Sequence, residues 1–175
     1  MANHKILIPF ILRWEGGFVN DPHDRGGATN KGVTMATWKN YCRRHTKLAT
    51  VDTLKKISDA EWEDIFKSMY WDRAKGDRIK DQSVANIIVD WLWNSGTLAI
   101  RHTQRILGVT ADGMIGPNTL AAINAWSGKA LFEAIQQDRI SCYHYRADTK
   151  PSQRKYLRGW LNRANAMIYD EPYFE

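Results

Sequence analysis

The sequence has few cysteines and no long apolar run. Its 175 residues include two cysteines, Cys42 and Cys142, and their separation gives no spacing typical of a metal, haem or redox site. We therefore interpret both as reduced thiols in a chain made in the cytoplasm. No segment approaches the roughly 18 consecutive apolar residues of a membrane span, so we expect no stable membrane insertion.

A flexible linker, a low-complexity segment and an internal repeat are also missing from the sequence. The N-terminus leads into a short apolar patch that ends at Arg13 without a small-residue cleavage site, so we predict no signal peptide. The five histidines are scattered along the chain, which gives a zinc site little support. The chain is therefore expected to be one domain, or a domain with an appended lobe.

Charge and aromatic content are the strongest features of the composition. The formal net charge is +6, and the chain contains eight tryptophans. A basic protein is attracted both to the anionic bacterial wall and to nucleic acid, and charge alone does not separate these partners. The densest basic region is predicted to form a solvated helix face that assists adsorption. Its residues are Arg139, Arg146, Lys150, Arg154, Lys155, Arg158 and Arg163.

The apolar residues recur mainly with helical spacing. Val84, Ile87, Ile88, Trp91 and Leu92 follow the i, i+3, i+4, i+7, i+8 pattern and predict a central buried helix. Further helices are predicted at 35–45, 58–70, 98–107 and 129–146, and from positions 117 and 151 onward. Short strands are expected only between positions 18 and 34. The predicted fold class is all-α with a small β-hairpin element near the active site.

Glu15 is the first candidate catalytic residue. Ile8, Ile11, Leu12 and Glu15 have the spacing of one helical face, which predicts a partly buried carboxylate in the last turn. The pair 16–17 is Gly-Gly, and glycine commonly ends helices in the left-handed conformation. Burial and the negative end of the helix dipole both disfavour a charged carboxylate. The sequence therefore predicts that Glu15 is a protonated general acid.

A second carboxylate, Asp24, follows in a glycine-rich turn. The cationic neighbour Arg25 and the free backbone N–H groups around it favour the charged form, so Asp24 is predicted to be the base or the electrostatic stabiliser. Thr29 and Thr34 supply hydroxyls that can hold a nucleophilic water. Taken singly, each acid is also typical of an ordinary helix end or turn. Their closeness in the sequence favours hydrolysis of a glycosidic bond.

Residues in two segments are candidates for substrate binding. Trp14 precedes the glutamate, and aromatic rings stack on the apolar faces of sugars. Asp90 is predicted to lie off the apolar face of its helix, and Asn94 and Ser95 follow one turn later. This polar cluster is expected to bind N-acetyl or peptide groups, although Asn and Ser are equally typical of a capped helix end.

Three segments resemble a known family. They read EGGFVNDPHDRGGATNKGVT at 15–34, DWLWNSG at 90–96 and QRILGVTADGMIGPNTL at 104–120. The first is similar to the signature of the phage and bacterial N-acetylmuramidases of glycoside hydrolase family 108, and the others resemble the peptidoglycan-binding region that accompanies it. The resemblance implies a lysozyme-like architecture with Glu15 as the catalytic acid.

The spacing of the acids is also similar to the Glu, Asp, Thr arrangement of phage lysozymes. In this chain Asn30 occupies the threonine position of that pattern, and Thr29 lies one place earlier. Which of Thr29, Asn30 and Thr34 positions the water therefore stays open. Stereochemistry stays open too, because it depends on the separation of the two carboxyl groups.

The resemblance implies a peptidoglycan muramidase that cleaves the β-1,4 bond between N-acetylmuramic acid and N-acetylglucosamine. Residues 1–77 are the expected catalytic portion, and residues 78–175 are the expected peptidoglycan-binding portion packed against it. No metal and no organic cofactor are needed. Peptidoglycan is the expected partner of a monomer that does not bind nucleic acid. Such a chain acts in the periplasm or at the cell wall, reached through a holin lesion or an export system, as phage endolysins do.

Other functions remain as alternatives. A non-catalytic wall-binding or secretion-accessory protein would bind sacculi without releasing reducing ends. A lytic transglycosylase would need one acid and no water, and would release an anhydro product. A nucleic-acid binder is supported only by the basic final helices, and its salt-sensitive binding would survive the loss of Glu15 and Asp24.

Overall fold

The computed structural model describes residues 1–20 and 27–171, and this part of the chain is mainly helical with one small hairpin. The predicted fold class is confirmed. The α-helices are α1 His4–Trp14, α2 Met35–Arg44, α3 Val51–Lys55, α4 Asp59–Phe66, α5 Gln82–Ser95, α6 Thr97–Ile106, α7 Pro117–Ala125, α8 Gly128–Thr149 and α9 Leu157–Asn165. The strands are β1 Thr29–Asn30 and β2 Val33–Thr34, and shorter helical turns are Lys67–Trp71, Gly76–Arg78 and Pro151–Tyr156. Over the described ranges, no helix has the length and apolarity that crossing a membrane requires.

Helix α5 forms the centre of the molecule, as the apolar spacing predicts. Every residue from Ser83 to Leu92 is buried, because α1, α6 and α8 pack around it. A helix enclosed on all sides has no solvent-facing stripe. The prediction that Asp90 lies off the apolar face of its helix is therefore wrong, and its carboxylate is fully buried.

Local capping signals place several helix ends correctly. The Ser58 hydroxyl and the Glu61 carboxylate form the capping box that starts α4, and the Asp81 carboxylate accepts a hydrogen bond from the Val84 N–H at 3.0 Å at the start of α5. Pro117 is the first residue of α7, where its missing N–H has no cost. The segment predicted at 58–70 is helical, but its last turn, Lys67–Trp71, is a π-helix.

The end of α1 differs from the prediction. Its buried residues are Leu7, Phe10 and Ile11, whereas Leu12 is 39% exposed. Glu15 follows the last helical residue in an extended conformation, with φ −94° and ψ 133°, so it does not continue the helical stripe. The left-handed glycines of the described chain do not include positions 16 and 17; the extended backbone of Glu15 ends the helix instead.

The predicted solvated basic face is wrong for two of its members. Arg139 on α8 and Arg163 on α9 are buried, because both helices pack near the enclosed carboxylate of Asp90. Arg154 and Arg158 are exposed, as predicted. Arg146 is half-buried, with its guanidinium 5.1 Å from the centre of the Trp160 ring.

Candidate active site

The Glu15 carboxylate is held on one side by two N–H donors. The Trp93 indole nitrogen donates to Oε1 at 2.8 Å, and Nη1 of Arg163 donates to the same oxygen at 2.7 Å. The side chain is 17% exposed, so it is partly buried, as predicted. Oε1 is thus occupied by protein donors, and Oε2 faces another part of the site.

The β1–β2 hairpin forms the wall beside Oε2. Lys31 and Gly32 both have positive φ, 48° and 77°, which is the geometry of a two-residue type I′ turn. A Cβ atom placed on Gly32 would lie 2.6 Å from Oε2 of Glu15 and 2.8 Å from Cζ2 of Trp93. Only a residue without a side chain therefore fits between the hairpin and the carboxylate.

Buried hydrogen bonds fix the hairpin in this position. The Asn30 side-chain amide donates to the backbone carbonyls of Leu54 and Lys55, both at 3.0 Å. The Trp62 indole donates to the Lys31 carbonyl at 2.8 Å. The amide nitrogen of Asn30 is thus used inside the protein, where it anchors the hairpin to the end of α3.

An aromatic cluster supports Trp93 behind the carboxylate. The ring centre of Trp93 lies 4.5 Å from that of Tyr70, 5.7 Å from that of Trp62 and 5.8 Å from that of Phe66. Packing from several sides fixes the direction in which the indole N–H points. Trp93 is not one of the residues of the predicted apolar stripe of α5, and its indole N–H has a polar partner in Glu15.

A polar cavity of about 390 Å³ opens beside Tyr70. Its lining includes Asn40, Arg44, Ser68 and Arg73. The pKa of the Tyr70 hydroxyl is raised above its ordinary value, mainly because the side chain is buried. The charge of Glu15 also raises this pKa, whereas a hydrogen bond with Thr37 and the charge of Arg73 lower it. Tyr70 therefore connects the cavity with the aromatic cluster behind Glu15, and the guanidinium groups of Arg44 and Arg73 in the lining suit an anionic group.

Arg163 connects Glu15 to a second, fully buried carboxylate. Its Nη2 and Nε atoms donate to Oδ1 of Asp90 at 2.7 and 3.1 Å, and Nη2 of Arg139 lies 2.7 Å from Oδ2. The Arg139 contact is an ion pair without hydrogen-bond alignment. Burial raises the pKa of Asp90, but the two guanidinium groups outweigh it and hold the pKa below its ordinary value. Asp90 is thus a buried partner of arginines, with no surface left for a substrate group.

The side chains of the other predicted substrate-binding residues do not meet at one site. Asn94 is exposed and its amide donates to the backbone carbonyl of Asp90 at 3.1 Å. Ser95 lines a different cavity, of about 340 Å³, together with Cys142. Trp14 is half-buried against Phe10. The expected single polar cluster of Asp90, Asn94 and Ser95 does not form, because α5 encloses its first member.

The predicted water-positioning and basic residues are placed only in part. Thr29 lies in β1, where its backbone exchanges two hydrogen bonds of 2.8 Å with Val19. The Thr34 hydroxyl caps α2 by accepting from the Thr37 N–H at 3.2 Å. Asp24 lies outside the described residues. Across the ranges that the structure describes, no group of three or more His, Cys, Asp or Glu side chains is arranged to hold a metal ion.

Comparison with family models decides the class of protein. The model described as glycosyl hydrolase 108 matches residues 8–96, and the model described as a predicted peptidoglycan domain matches residues 98–165. The chain belongs to the glycosyl hydrolase 108 family. This glycosyl hydrolase acts on peptidoglycan. The two matches meet between residues 96 and 98, later than the division predicted between 77 and 78.

The glycosyl hydrolase is also similar to a solved structure. The structure of Brucella abortus SagA superposes with a TM-score of 0.71 at 26% sequence identity, over 91% of this chain and 92% of that one. A comparison with curated proteins finds no match. The similarity to SagA extends through both matched regions, so the arrangement of the two regions is shared along with their separate folds.

Replacement of Gly32 by alanine tests the close approach of the hairpin to Glu15. The new Cβ would displace Oε2, and an error of about 1 Å in a reacting group can reduce turnover about 100-fold. We expect a loss of that order in the release of soluble muropeptides from purified sacculi. Gly108→Ala is the matched control, since Gly108 has a similar φ of 68° but open space around it. Equal losses in the two variants would show that backbone conformation, and not contact with Glu15, is responsible.

Proposed function

We propose that the protein is a muramidase that cleaves the β-1,4 bond between N-acetylmuramic acid and N-acetylglucosamine, with Glu15 as the general acid. The observation that carries this proposal is the asymmetric environment of the Glu15 carboxylate. Two N–H donors occupy Oε1. In a carboxylic acid the oxygen that accepts such hydrogen bonds is the carbonyl oxygen, and the other oxygen carries the proton. The acidic proton therefore belongs on Oε2.

The proton on Oε2 is on the side of the carboxyl group that faces the hairpin. Oε2 transfers it to the glycosidic oxygen as the bond to the sugar breaks, and charge develops on the sugar ring in an oxocarbenium-like transition state. Asp24 is the proposed second carboxylate, which stabilises this charge or activates a water. Thr29 or Thr34 assists in holding that water. No step requires a metal or an organic cofactor.

The size and charge of a glycan strand are consistent with the cavity beside Tyr70. The cavity beside Tyr70 is large enough for part of a glycan strand, and it presents Arg44 and Arg73 to a polymer whose peptides carry carboxylates. The formal charge of +6 favours adsorption to an anionic wall through a salt-sensitive attraction. The proposed place of action is the bacterial wall. The chain is proposed to work as a monomer, like a phage or prophage endolysin, and to reach the wall through a holin lesion or an export system.

Mass analysis of purified sacculi after digestion tests the proposed bond. A muramidase is expected to release muropeptides with a reducing N-acetylmuramic acid end, which borohydride reduces. Products with a reducing N-acetylglucosamine end, or with anhydro-muramic acid, would contradict the proposal and indicate a glucosaminidase or a lytic transglycosylase. Binding to sacculi with no released product would indicate a wall-binding protein that lacks turnover.

A further inference from the structure

Arg163 contacts two carboxylates that belong to the other matched region. It lies on α9, within the match to the peptidoglycan domain at 98–165, whereas Glu15 and Asp90 lie within the glycosyl hydrolase match at 8–96. Its Nη1 atom donates to Glu15 at 2.7 Å, and its Nη2 atom donates to Asp90 at 2.7 Å. The guanidinium therefore bridges a buried anchor, 73 residues away in sequence, and the proposed acid, 148 residues away.

Asp90 fixes the direction in which this guanidinium points. Two of the three guanidinium nitrogens, Nε and Nη2, donate to Oδ1 of Asp90, and a planar guanidinium held at two atoms cannot rotate freely. The Arg163 side chain is 7% exposed and that of Asp90 is fully buried. The remaining atom, Nη1, is consequently presented to Glu15 in a defined position.

We propose that Arg163 is a positioning residue for Glu15, so that the peptidoglycan-domain region completes the catalytic centre of the hydrolase in addition to any binding of its own. This inference rests on the proposed function of Glu15. Glu15 follows the last residue of α1 in extended backbone, next to Gly16 and Gly17, around whose added Cβ atoms the space is empty. Its backbone neighbours therefore place few limits on the carboxylate, and Arg163 and Trp93 supply the missing restraint.

The charge of Arg163 also favours the proposed proton transfer. When Oε2 gives its proton to the glycosidic oxygen, the electron pair of the O–H bond stays on the carboxyl group and a negative charge develops there. Arg163 stabilises that charge through Oε1. Because this stabilisation grows as the proton leaves, it lowers the barrier and does not merely strengthen substrate binding.

A purely structural role for Arg163 makes a different prediction, and Arg139 separates the two. Both arginines pair with Asp90 in the interior. Arg139 contacts Asp90 and Tyr143, and within the described residues it has no ion pair with Glu15. If Arg163 served only to neutralise Asp90, removal of either arginine would have the same consequence for the folded enzyme.

The experiment compares Arg163→Met, Arg163→Lys, Arg139→Met and the control Arg78→Met, which removes an exposed arginine, each in the full chain. Turnover and KM are measured on soluble uncross-linked peptidoglycan strands, and kcat is expressed per folded molecule after thermal unfolding has given the folded fraction. We expect Arg163→Met to lower kcat about 100-fold with KM changed less than about threefold. Arg163→Lys keeps the charge and a single donor nitrogen, and we expect it to recover about tenfold of the loss, so that its kcat stays about tenfold below that of the wild type. We expect Arg139→Met to lower the melting temperature and Arg78→Met to resemble the wild type.

Several results would overturn the inference. A folded Arg163→Met enzyme with kcat within about threefold of wild type would show that Glu15 needs no such restraint. Equal losses of kcat in Arg163→Met and Arg139→Met would assign the effect to the buried ion cluster as a whole. If Arg163→Met does not fold, the Arg163→Lys variant provides the test. A folded Lys variant whose kcat equals that of the wild type would contradict a graded positioning role. A folded Lys variant with no measurable kcat would contradict it as well. An inactive wild-type enzyme, by contrast, would refute the proposed function itself.

Discussion

A Glu15→Gln variant is expected to fold like the wild type and to release muropeptides at least about 1000-fold more slowly, within the range that general acid catalysis contributes. The amide has nearly the same shape as the acid, and its carbonyl oxygen still accepts from Trp93 and Arg163 at the Oε1 position. The amide nitrogen then occupies the Oε2 position, where it has no acidic proton to give. Loss of turnover with an unchanged fold follows directly from this substitution.

The measurement is the initial rate of reducing-end release from sacculi, with circular dichroism and the melting temperature to check the fold. Glu133→Gln is the matched control, because Glu133 is an exposed glutamate whose partner is Lys129 on the same helix. The control is expected to keep the wild-type rate. A Glu15→Gln enzyme that retains more than about a tenth of wild-type turnover would remove Glu15 from the role of proton donor.

Most helices of this protein could be predicted from the sequence because their signals are local. The capping box at Ser58 and Glu61, the proline at position 117 and the apolar spacing along α5 each depend on residues within about two helical turns. The end of α1 was predicted less well. A Gly-Gly pair is a good helix-stop signal, but the extended backbone of Glu15 ended the helix one residue earlier, and neighbouring residues alone do not determine such a choice.

The partners of Glu15 could not be predicted, because they come from distant parts of the chain. Nothing in the local sequence distinguishes Arg163, which is buried, from Arg158, which is exposed on the same helix. Asp90 gave a misleading signal, since a carboxylate in an apolar helix is usually read as a surface residue. It is tolerated inside only because two arginines, 49 and 73 residues away in sequence, pair with it. Long-range ion pairs of this kind leave no periodic pattern.

Replacement of Asp90 by alanine is expected to produce the largest loss of stability of any single substitution considered. It leaves Arg139 and Arg163 buried without the carboxylate between them, and removal of one partner from a buried ion pair typically costs about 3–5 kcal/mol of the free energy of unfolding. Urea denaturation monitored by tryptophan fluorescence measures this loss. Asp59→Asn serves as the control, because Asp59 pairs with Lys31 in the solvent and its removal is expected to change stability little.

The stability that Asp90→Ala loses relative to the wild type should depend on pH, and the pKa of Asp90 determines the direction. The pKa of Asp90 in the folded protein lies below its ordinary value, so the ionised carboxylate contributes its full stabilisation at pH values above the ordinary pKa. As the pH falls through the lowered value, the wild type loses this contribution and its stability approaches that of Asp90→Ala. Combining Asp90→Leu with Arg139→Met and Arg163→Met should recover part of the stability that Asp90→Leu loses, because no uncompensated charge then remains inside. Two results would show that shape and packing, and not the buried charges, give Asp90 its importance. One is a difference in stability between wild type and Asp90→Ala that does not change with pH, and the other is a triple variant no more stable than Asp90→Leu.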